Sequence, residues 1–327
     1  MLRTQLCDLL QIESPVIQAG MGPFTDAQLA AAVSNAGGLG SLGASQRPVA
    51  DLERQLALIR TLTDRPFAVN FLVPTLNEEA FALTLRARPP IISLALGEPG
   101  DLVKRAHDAG ILVMQQVHTV KQARQAAERE VDVIIAQGSE AGGFGGTVAA
   151  FALVPQVIDA VSPIPVVAAG GIADGRGLAA ALVLGAQGVN VGTRFLATVE
   201  APISEGWKQA ILAAESEDAV KVEVWNDMIP LPGGGGYGTV PRALRTPFID
   251  AWQHRRDEAR REAARLQGEV TTALQQGRFH ETVPFAGQTT GLIRDIIPAG
   301  EIVRRIVAEA EEALKRASHL LREKGEA

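Results

Sequence analysis

Two consecutive glycine-rich turns carry the clearest chemical signal in this sequence. Val166-Val-Ala-Ala-Gly170-Gly171-Ile-Ala-Asp-Gly-Arg-Gly177 and Ala186-Gln-Gly-Val-Asn190-Val191-Gly192-Thr193-Arg-Phe195 each end an apolar run in residues that leave backbone N–H groups open to close approach. Open amides, reinforced by the positive end of a helix dipole, suit a phosphate. The alternative reading is a pair of ordinary strand-to-helix turns. A second set of residues is polar but uncharged. Asn70 ends Phe67-Ala-Val-Asn70, Gln115 and Gln116 end Ile111–Gln116, and Gln137 follows Val131–Ala136. A carboxamide offers a donor and an acceptor together, which fits the edge of a polar heterocycle. A phosphate cradle combined with amides on separate strands points to a mononucleotide, and FMN fits.

Other motifs are weaker. Gly38-Leu-Gly40-Ser-Leu-Gly43 has the spacing G-x-G-x-x-G, but it follows a helix pattern and overlaps an apolar run. The dinucleotide fingerprint instead follows a strand and opens a helix. This segment therefore reads as a turn plus a buried strand. The sequence has no GxxxxGK[ST], CxxC or HExxH, so no metal site is expected. Of the histidines, His107, His254, His280 and His319 fall in helical or lid-like surroundings, whereas His118 lies just past a strand and could face a site.

The elements that must position these residues follow a regular alternation up to about residue 195. Short apolar runs lie at Val16–Gly20, Leu39–Gly43, Phe67–Phe71, Ile91–Leu96, Ile111–Gln116, Val131–Ala136, Pro165–Ala169 and Gly188–Gly192. Their length and apolar character suit strands buried on both faces. Helix patterns fall between them at Asp26–Asn35, Pro48–Thr63, Asp101–Asp108, Val120–Arg129 and Phe151–Val161, with Thr25 or Asp26 as a cap and Gly37 as a stop. Alternation of this kind implies parallel strands with right-handed crossovers. Eight such strands predict an α/β fold of the (β/α)8 TIM-barrel type, with an open doubly wound sheet as the rival. In a barrel, the two glycine turns follow strands seven and eight, the usual phosphate site.

From about 200 to 290 the rhythm breaks. Pro232-Gly-Gly-Gly-Gly-Tyr237-Gly238 looks mobile, and a long polar helix pattern spans Phe248–Gln276. This stretch reads as a helical lid inserted after the last barrel strand. Ile297–Lys324 then forms an amphipathic pattern with Ile302, Val303, Ile306, Val307, Ala310 and Leu314 on one stripe. The expected division is a cofactor-binding barrel core over 1–199, the lid over 200–290, and a closing helix within 291–327.

Composition narrows the classes of function. With 327 residues, 46% of them hydrophobic, the chain can bury a large core. A net charge of −6 and 4% aromatics argue against a nucleic-acid partner. The one dense arginine cluster, Arg255, Arg256, Arg260, Arg261 and Arg265, is interleaved with Asp257, Glu258 and Glu262. Asp257 and Arg261 at i,i+4 predict a solvated helix face laced with ion pairs. Cys7 is the only cysteine, so no disulfide framework is expected. No apolar stretch reaches the length of a membrane span, and Asp8 and Glu13 interrupt the start of the chain, unlike a secretory leader. The expected setting is the cytoplasm, with a small-molecule substrate, no membrane, and a homodimer as the assembly to test for.

Several segments taken in order resemble the nitronate monooxygenase family, formerly called 2-nitropropane dioxygenase. They are Pro15-Val-Ile-Gln-Ala-Gly-Met21-Gly22, Ser34-Asn-Ala-Gly-Gly-Leu-Gly40, Arg65-Pro-Phe-Ala-Val-Asn70, Gln137-Gly-Ser-Glu-Ala-Gly142-Gly143, Ala169-Gly-Gly-Ile-Ala-Asp-Gly175 and Val191-Gly-Thr-Arg-Phe195. Phe285-Ala-Gly-Gln-Thr-Thr-Gly-Leu292 continues the match weakly. The resemblance implies a TIM barrel holding non-covalent FMN. Met21 and Gly22 would lie at the flavin ring, Asn70 and Gln137 on its polar atoms, and Gly142 nearby. Gly170, Gly171, Gly192 and Thr193 would cradle the phosphate, with Gln116, Asn190 and Val191 completing the set.

One departure bears on the reaction. The family normally has a histidine after the Ala-Gly-Gly run, taken as the catalytic base or proton donor, and this chain has Phe144. Phenylalanine cannot transfer a proton. Oxidation of a nitronate, which arrives already deprotonated, is least affected. The expected activity is therefore FMN-dependent oxidation of alkyl nitronates by O₂ to carbonyl compounds and nitrite. The alternatives are an NAD(P)H-dependent flavin reductase acting on a quinone or enoyl thioester, and an FMN-binding protein with impaired catalysis. His118, or Tyr237 if the glycine loop folds over the flavin, could replace the missing histidine.

Overall fold

The computed structural model describes residues 2–231 and 237–320, and every apolar run of the first 200 residues forms a strand in it. The strands are β1 (Val16–Gln18), β2 (Gly40–Gly43), β3 (Phe67–Leu72), β4 (Ile91–Ala95), β5 (Leu112–Val117), β6 (Val133–Gln137), β7 (Gly143–Phe144), β8 (Val166–Ala169), β9 (Gly188–Val191), β10 (Ala219–Lys221) and β11 (Pro241–Leu244). Eight of them form one parallel sheet in the order β1-β9-β8-β6-β5-β4-β3-β2. The two ends of that order meet: Gln18 N–H donates to Leu39 O and Leu39 N–H donates to Val16 O, both at 2.9 Å. The sheet is thus a closed barrel and not the open rival.

Alternation along each strand sorts side chains between two apolar layers. Ile17, Ala68, Met114, Val133, Ile135 and Val167 fill the interior with Leu39, while Val16, Val69, Ile92, Val113, Ile134 and Val189 pack outward against the helices. A short N-terminal helix, Gln5–Leu10, adds Leu6, Cys7 and Leu10 to the interior cluster and plugs the end where the strands begin. The sequence reading had not assigned this helix.

The expected crossover helices are present at Ala27–Asn35, Val49–Leu62, Leu102–Asp108, Val120–Glu128 and Ala150–Val161. Of the two cap candidates, Asp26 is the one used: its side chain accepts from Leu29 N–H at 2.9 Å. Glu78–Ala87 and Gly175–Val183 are further helices. They start at Asn77 and Asp174, whose side chains accept from the first-turn amides. The last helix, Ala299–Ser318, buries Ile302, Val303, Ile306 and Ala310. It packs on Ala27–Asn35 and Gly175–Val183 and completes the outer ring. Its expected continuation through residues 321–324 lies outside the described residues, as does the glycine run at 232–236.

Between these last elements the chain builds a small antiparallel sheet, β10-β11-β7, so the excursion after the barrel is stitched to the loop that follows β6. The long helix expected over Phe248–Gln276 is broken into Pro247–Trp252, Arg256–Arg261 and Ala263–Gln275. The breaks let the chain wrap the short helix Trp225–Met228, which both later segments touch. The arginine face also differs in detail from the expectation. Asp257 pairs with Arg260 and not with Arg261, and Glu258 and Glu262 pair with Arg255 and Arg265.

Asp227 clamps this excursion. It is 8% exposed and accepts from Arg256 Nε at 2.5 Å and Arg260 Nε at 2.7 Å. Burial alone would raise its carboxyl pKa, but the two arginine hydrogen bonds and charges outweigh it and hold the group below its usual value. Such a group contributes stability that is fully present above its unfolded pKa and is lost as pH falls through the folded one. Acidification below about pH 4 should therefore loosen the excursion. Protection factors for amide exchange in segments 225–228 and 256–275 should fall in that range, and Asp227→Asn should show the lower protection already at pH 7.

Candidate functional site

The C-terminal ends of the barrel strands open into one large cleft, bounded on its outer side by the excursion. Because strand residues alternate, Gln116 and Asn190 turn into the cleft while their neighbours Gln115 and Val191 do not. Val191 packs with the outer helices, so pleat geometry takes it out of the cleft in which it was expected. Met21, Gly22, Asn70, Gln137, Gly142, Gly170, Gly171, Gly192 and Thr193 all line the cleft.

The amides are oriented. Asn70 Nδ2 donates to Ser93 O at 3.3 Å and Ser93 Oγ at 3.4 Å, which leaves Oδ1 as the free acceptor. Gln137 Oε1 receives His118 Nε2 at 2.9 Å and Gln116 Nε2 at 3.2 Å. With its proton on Nε2, His118 donates to Gln137 Oε1, and the same nitrogen stands 3.3 Å from Gln116 Nε2. Gln137 Nε2 makes no hydrogen bond to any described residue, and it is the donor that Gln137 offers to the cleft.

On the strand next to Gln137, Gly170 (φ 85°) and Gly171 (φ 75°) form a left-handed turn directly after β8. A side chain is strained in that region, and a Cβ on Gly170 would stand 3.0 Å from Gly138 O. Thr193 Oγ1 accepts from Gly287 N–H at 2.8 Å, so its own O–H is free to donate. Gly142 lies so close to Ala286 and Gly287 that a Cβ would come within 2.5 Å of their backbone. That contact seats the segment around Phe285–Gly287 over the turn. Glu140 is the one charged residue among the described lining residues. Both of its carboxylate oxygens accept from Ala150 N–H, at 3.1 and 3.0 Å.

Phe144 lines the cleft from β7, where it pairs with Pro241 of β11. Its ring stacks on Tyr237 with centroids 4.3 Å apart, meets Trp225 edge-on at 6.1 Å and tilts against Phe285 at 6.1 Å. Tyr237 stands behind Phe144 and His118 behind Gln137, and neither lines the cleft. Burial pushes the Tyr237 phenol pKa up. Burial likewise pulls the His118 imidazole down, against the hydrogen bond to Gln137. The structure thus brings neither proposed substitute for the histidine to the cavity surface.

Lys221 and Arg242, from β10 and β11, were not singled out from the sequence. Lys221 Nζ donates to Gly145 O at 3.0 Å and Val240 O at 3.3 Å. Its pKa is pushed down to about 8, mainly by burial and then by Arg242, with Glu223 opposing. Arg242 donates to Ser139 O from Nε and Nη2, at 3.2 and 3.0 Å. No motif marks these residues, because only the pairing of β7, β10 and β11 brings them against the loop after β6.

Comparison with known proteins adds a family context. The profile described as nitronate monooxygenase matches residues 3–80 and 77–309. The chain is 32% identical over 353 residues to the (3aS,4S,5R,7aS)-5-hydroxy-7a-methyl-1-oxo-octahydro-1H-indene-4-carboxyl-CoA dehydrogenase of Rhodococcus jostii, covering 94% of this chain and 96% of that one. It is 31% identical to a "Probable nitronate monooxygenase" of Staphylococcus saprophyticus, covering 96% and 99% of the two chains. Among solved structures, FabK from Thermotoga maritima superposes with a TM-score of 0.89 at 34% identity, over 98% of this chain and 100% of that one.

Proposed function

The chain belongs to the nitronate monooxygenase family, a family of oxidoreductases, and on that premise we propose that it oxidises anionic alkyl nitronates with O₂ to carbonyl compounds and nitrite, using FMN. The observation that carries this reading is Phe144: the cleft wall where a proton acceptor would stand is an aromatic hydrocarbon, backed by Tyr237, Trp225 and Phe285. A substrate that arrives as a carbanion needs no base there. Glu140, the only carboxylate on the lining among the described residues, is engaged at the head of the helix Ala150–Val161.

The residues present fit FMN. The left-handed glycine turn leaves room where a Cβ would intrude, and the Thr193 hydroxyl is free to donate to a phosphate. Asn70 Oδ1 and Gln137 Nε2 present one acceptor and one donor to a polar ring edge. FMN bound there would supply the redox capacity, taking electrons from the substrate and passing them to O₂. The protein's own part is to hold the ring edge, orient the substrate and exclude water.

Absorbance under anaerobic conditions tests the reading. Flavin bands should bleach on addition of ethyl nitronate and persist with NADH or NADPH, and aerobic turnover should release carbonyl product and nitrite. Bleaching by a nicotinamide, with no carbonyl product from nitronates, overturns it in favour of the second reading, oxidoreduction of an acyl thioester. That second reading is favoured by the similarity to the Rhodococcus indene-carboxyl-CoA dehydrogenase. Tight flavin without turnover by any donor would indicate impaired catalysis.

His118 enters as a positioning residue. Losing its Nε2–H leaves Gln137 Oε1 held by Gln116 alone, at a cost of about one hydrogen bond, or roughly tenfold in FMN affinity. Fluorescence titration should show this loss for His118→Leu and near-parental affinity for His118→Gln, which restores a donor.

A further inference from the structure

We propose that the reacting carbon of the substrate carries an uncharged, flat apolar body of ring size, seated between Phe144 and Leu96. The inference rests on the nitronate reading for the reacting group but not for the seat itself. One face of Phe144 is covered by the stacked Tyr237, and Trp225 meets the ring edge-on. The ring nevertheless lines the cleft and is only partly buried, so part of it is open to a ligand. Contacts with Tyr237, Trp225 and Phe285 restrict the ring to one plane. Offset stacking on such a plane favours flat partners over small or kinked ones.

Leu96 supplies a second, independent observation. It follows β4 with φ 59°, a conformation that is an outlier for a bulky residue other than glycine. Leu96 is 5% exposed, clusters with Trp225 and Tyr237, and lines the cleft beside Leu72. Strain of this kind persists where the surroundings over-determine it, commonly at a ligand site. Here it turns an apolar side chain toward the cleft at the end of a strand.

Charge points the same way. No Lys, Arg or His is among the described lining residues, and Glu140 is acidic. Lys221, half-buried on β10, is occupied by the carbonyls of Gly145 and Val240. A substituent bearing its own carboxylate would enter without a partner and pay for its lost hydration.

The holoenzyme should therefore turn over the nitronate of phenylnitromethane with a kcat/KM about tenfold or more above that of ethyl nitronate, with propionate 3-nitronate lowest. Phe144→Ala should shrink the phenyl-to-ethyl ratio to within about threefold. Phe144→Leu, which stays apolar but loses the flat face, should do the same if the alanine variant fails to fold. Ethyl nitronate or propionate 3-nitronate turned over as well as the phenyl compound would overturn the proposal while leaving the nitronate reading intact. A redox-inert binding measurement separates the two ideas. Calorimetry of the holoenzyme should show benzaldehyde binding at least tenfold tighter than propionaldehyde or benzoate, with the difference lost in Phe144→Leu. If no nitronate reacts and that pattern still appears, the reaction assignment fails and the aromatic seat stands. Equal binding of the three probes would overturn the seat.

Discussion

Replacing Gly170 by valine is expected to give a folded protein that no longer retains FMN. Two costs fall on that residue. Its φ of 85° lies in the left-handed region, where a side chain costs about 1–2 kcal/mol, and a β-branched side chain tolerates it least. Its Cβ would also stand 3.0 Å from Gly138 O and 3.2 Å from Ala141 N, both backbone atoms of the loop after β6 that cannot rotate away. The turn must open, and with it go the amides that face the cleft beside Thr193. Gly110 serves as the control. It has a similar φ of 75°, but a Cβ there meets nothing within 4 Å, and it precedes β5 at the far end of the barrel. Gly110→Val should lower the melting temperature by a few degrees and keep its flavin. Gly170→Val should stay folded with a melting temperature somewhat below that of Gly110→Val, and should show an FMN Kd raised at least a hundredfold by fluorescence titration. Equal flavin retention in the two variants would remove the glycine turn from the cofactor site.

How much of this was legible in the sequence follows from how local each feature is. The barrel strands were readable because each is a short apolar run buried on both faces, and the helices between them carry their own caps, as Asp26 does for Ala27–Asn35. The strand-end amides were readable for the same reason, since position along a strand places a residue at the mouth. Which of two adjacent residues faces the cleft depends on the pleat. Gln116 and Asn190 therefore enter while Gln115 and Val191 turn away, a distinction the apolar run alone does not encode. Features that depend on distant pairing were not readable. Tyr237 touches Phe144 only because β11 pairs with β7, and Lys221 approaches Gln137 only through β10. The interior role of Leu6 and Leu10 likewise depends on the barrel that they plug.

Restoring a histidine at Phe144 is expected to create activity on neutral nitroalkanes that the parent lacks. A side-chain base placed at a reacting proton contributes about 10²–10⁴-fold. The lower end applies here, because Glu140, the one carboxylate among the described lining residues, is engaged with Ala150 N–H and does not orient the new imidazole. Loss of the Phe144 stack on Tyr237 should cost about 1 kcal/mol of stability, too little to unfold the barrel. The gain should follow the base form of histidine: kcat/KM with nitroethane rises with pH through roughly 6.5 and levels off above it, whereas oxidation of the preformed ethyl nitronate shows no such limb. Phe144→Gln, polar but without a titrating group, should gain nothing. A rise for histidine alone would mean that the cleft already holds a nitro compound in reach of this position and lacks only the proton acceptor. No rise in either variant, with flavin still bound, would mean that the substrate carbon sits elsewhere, and would shift the assignment toward the acyl-thioester reading.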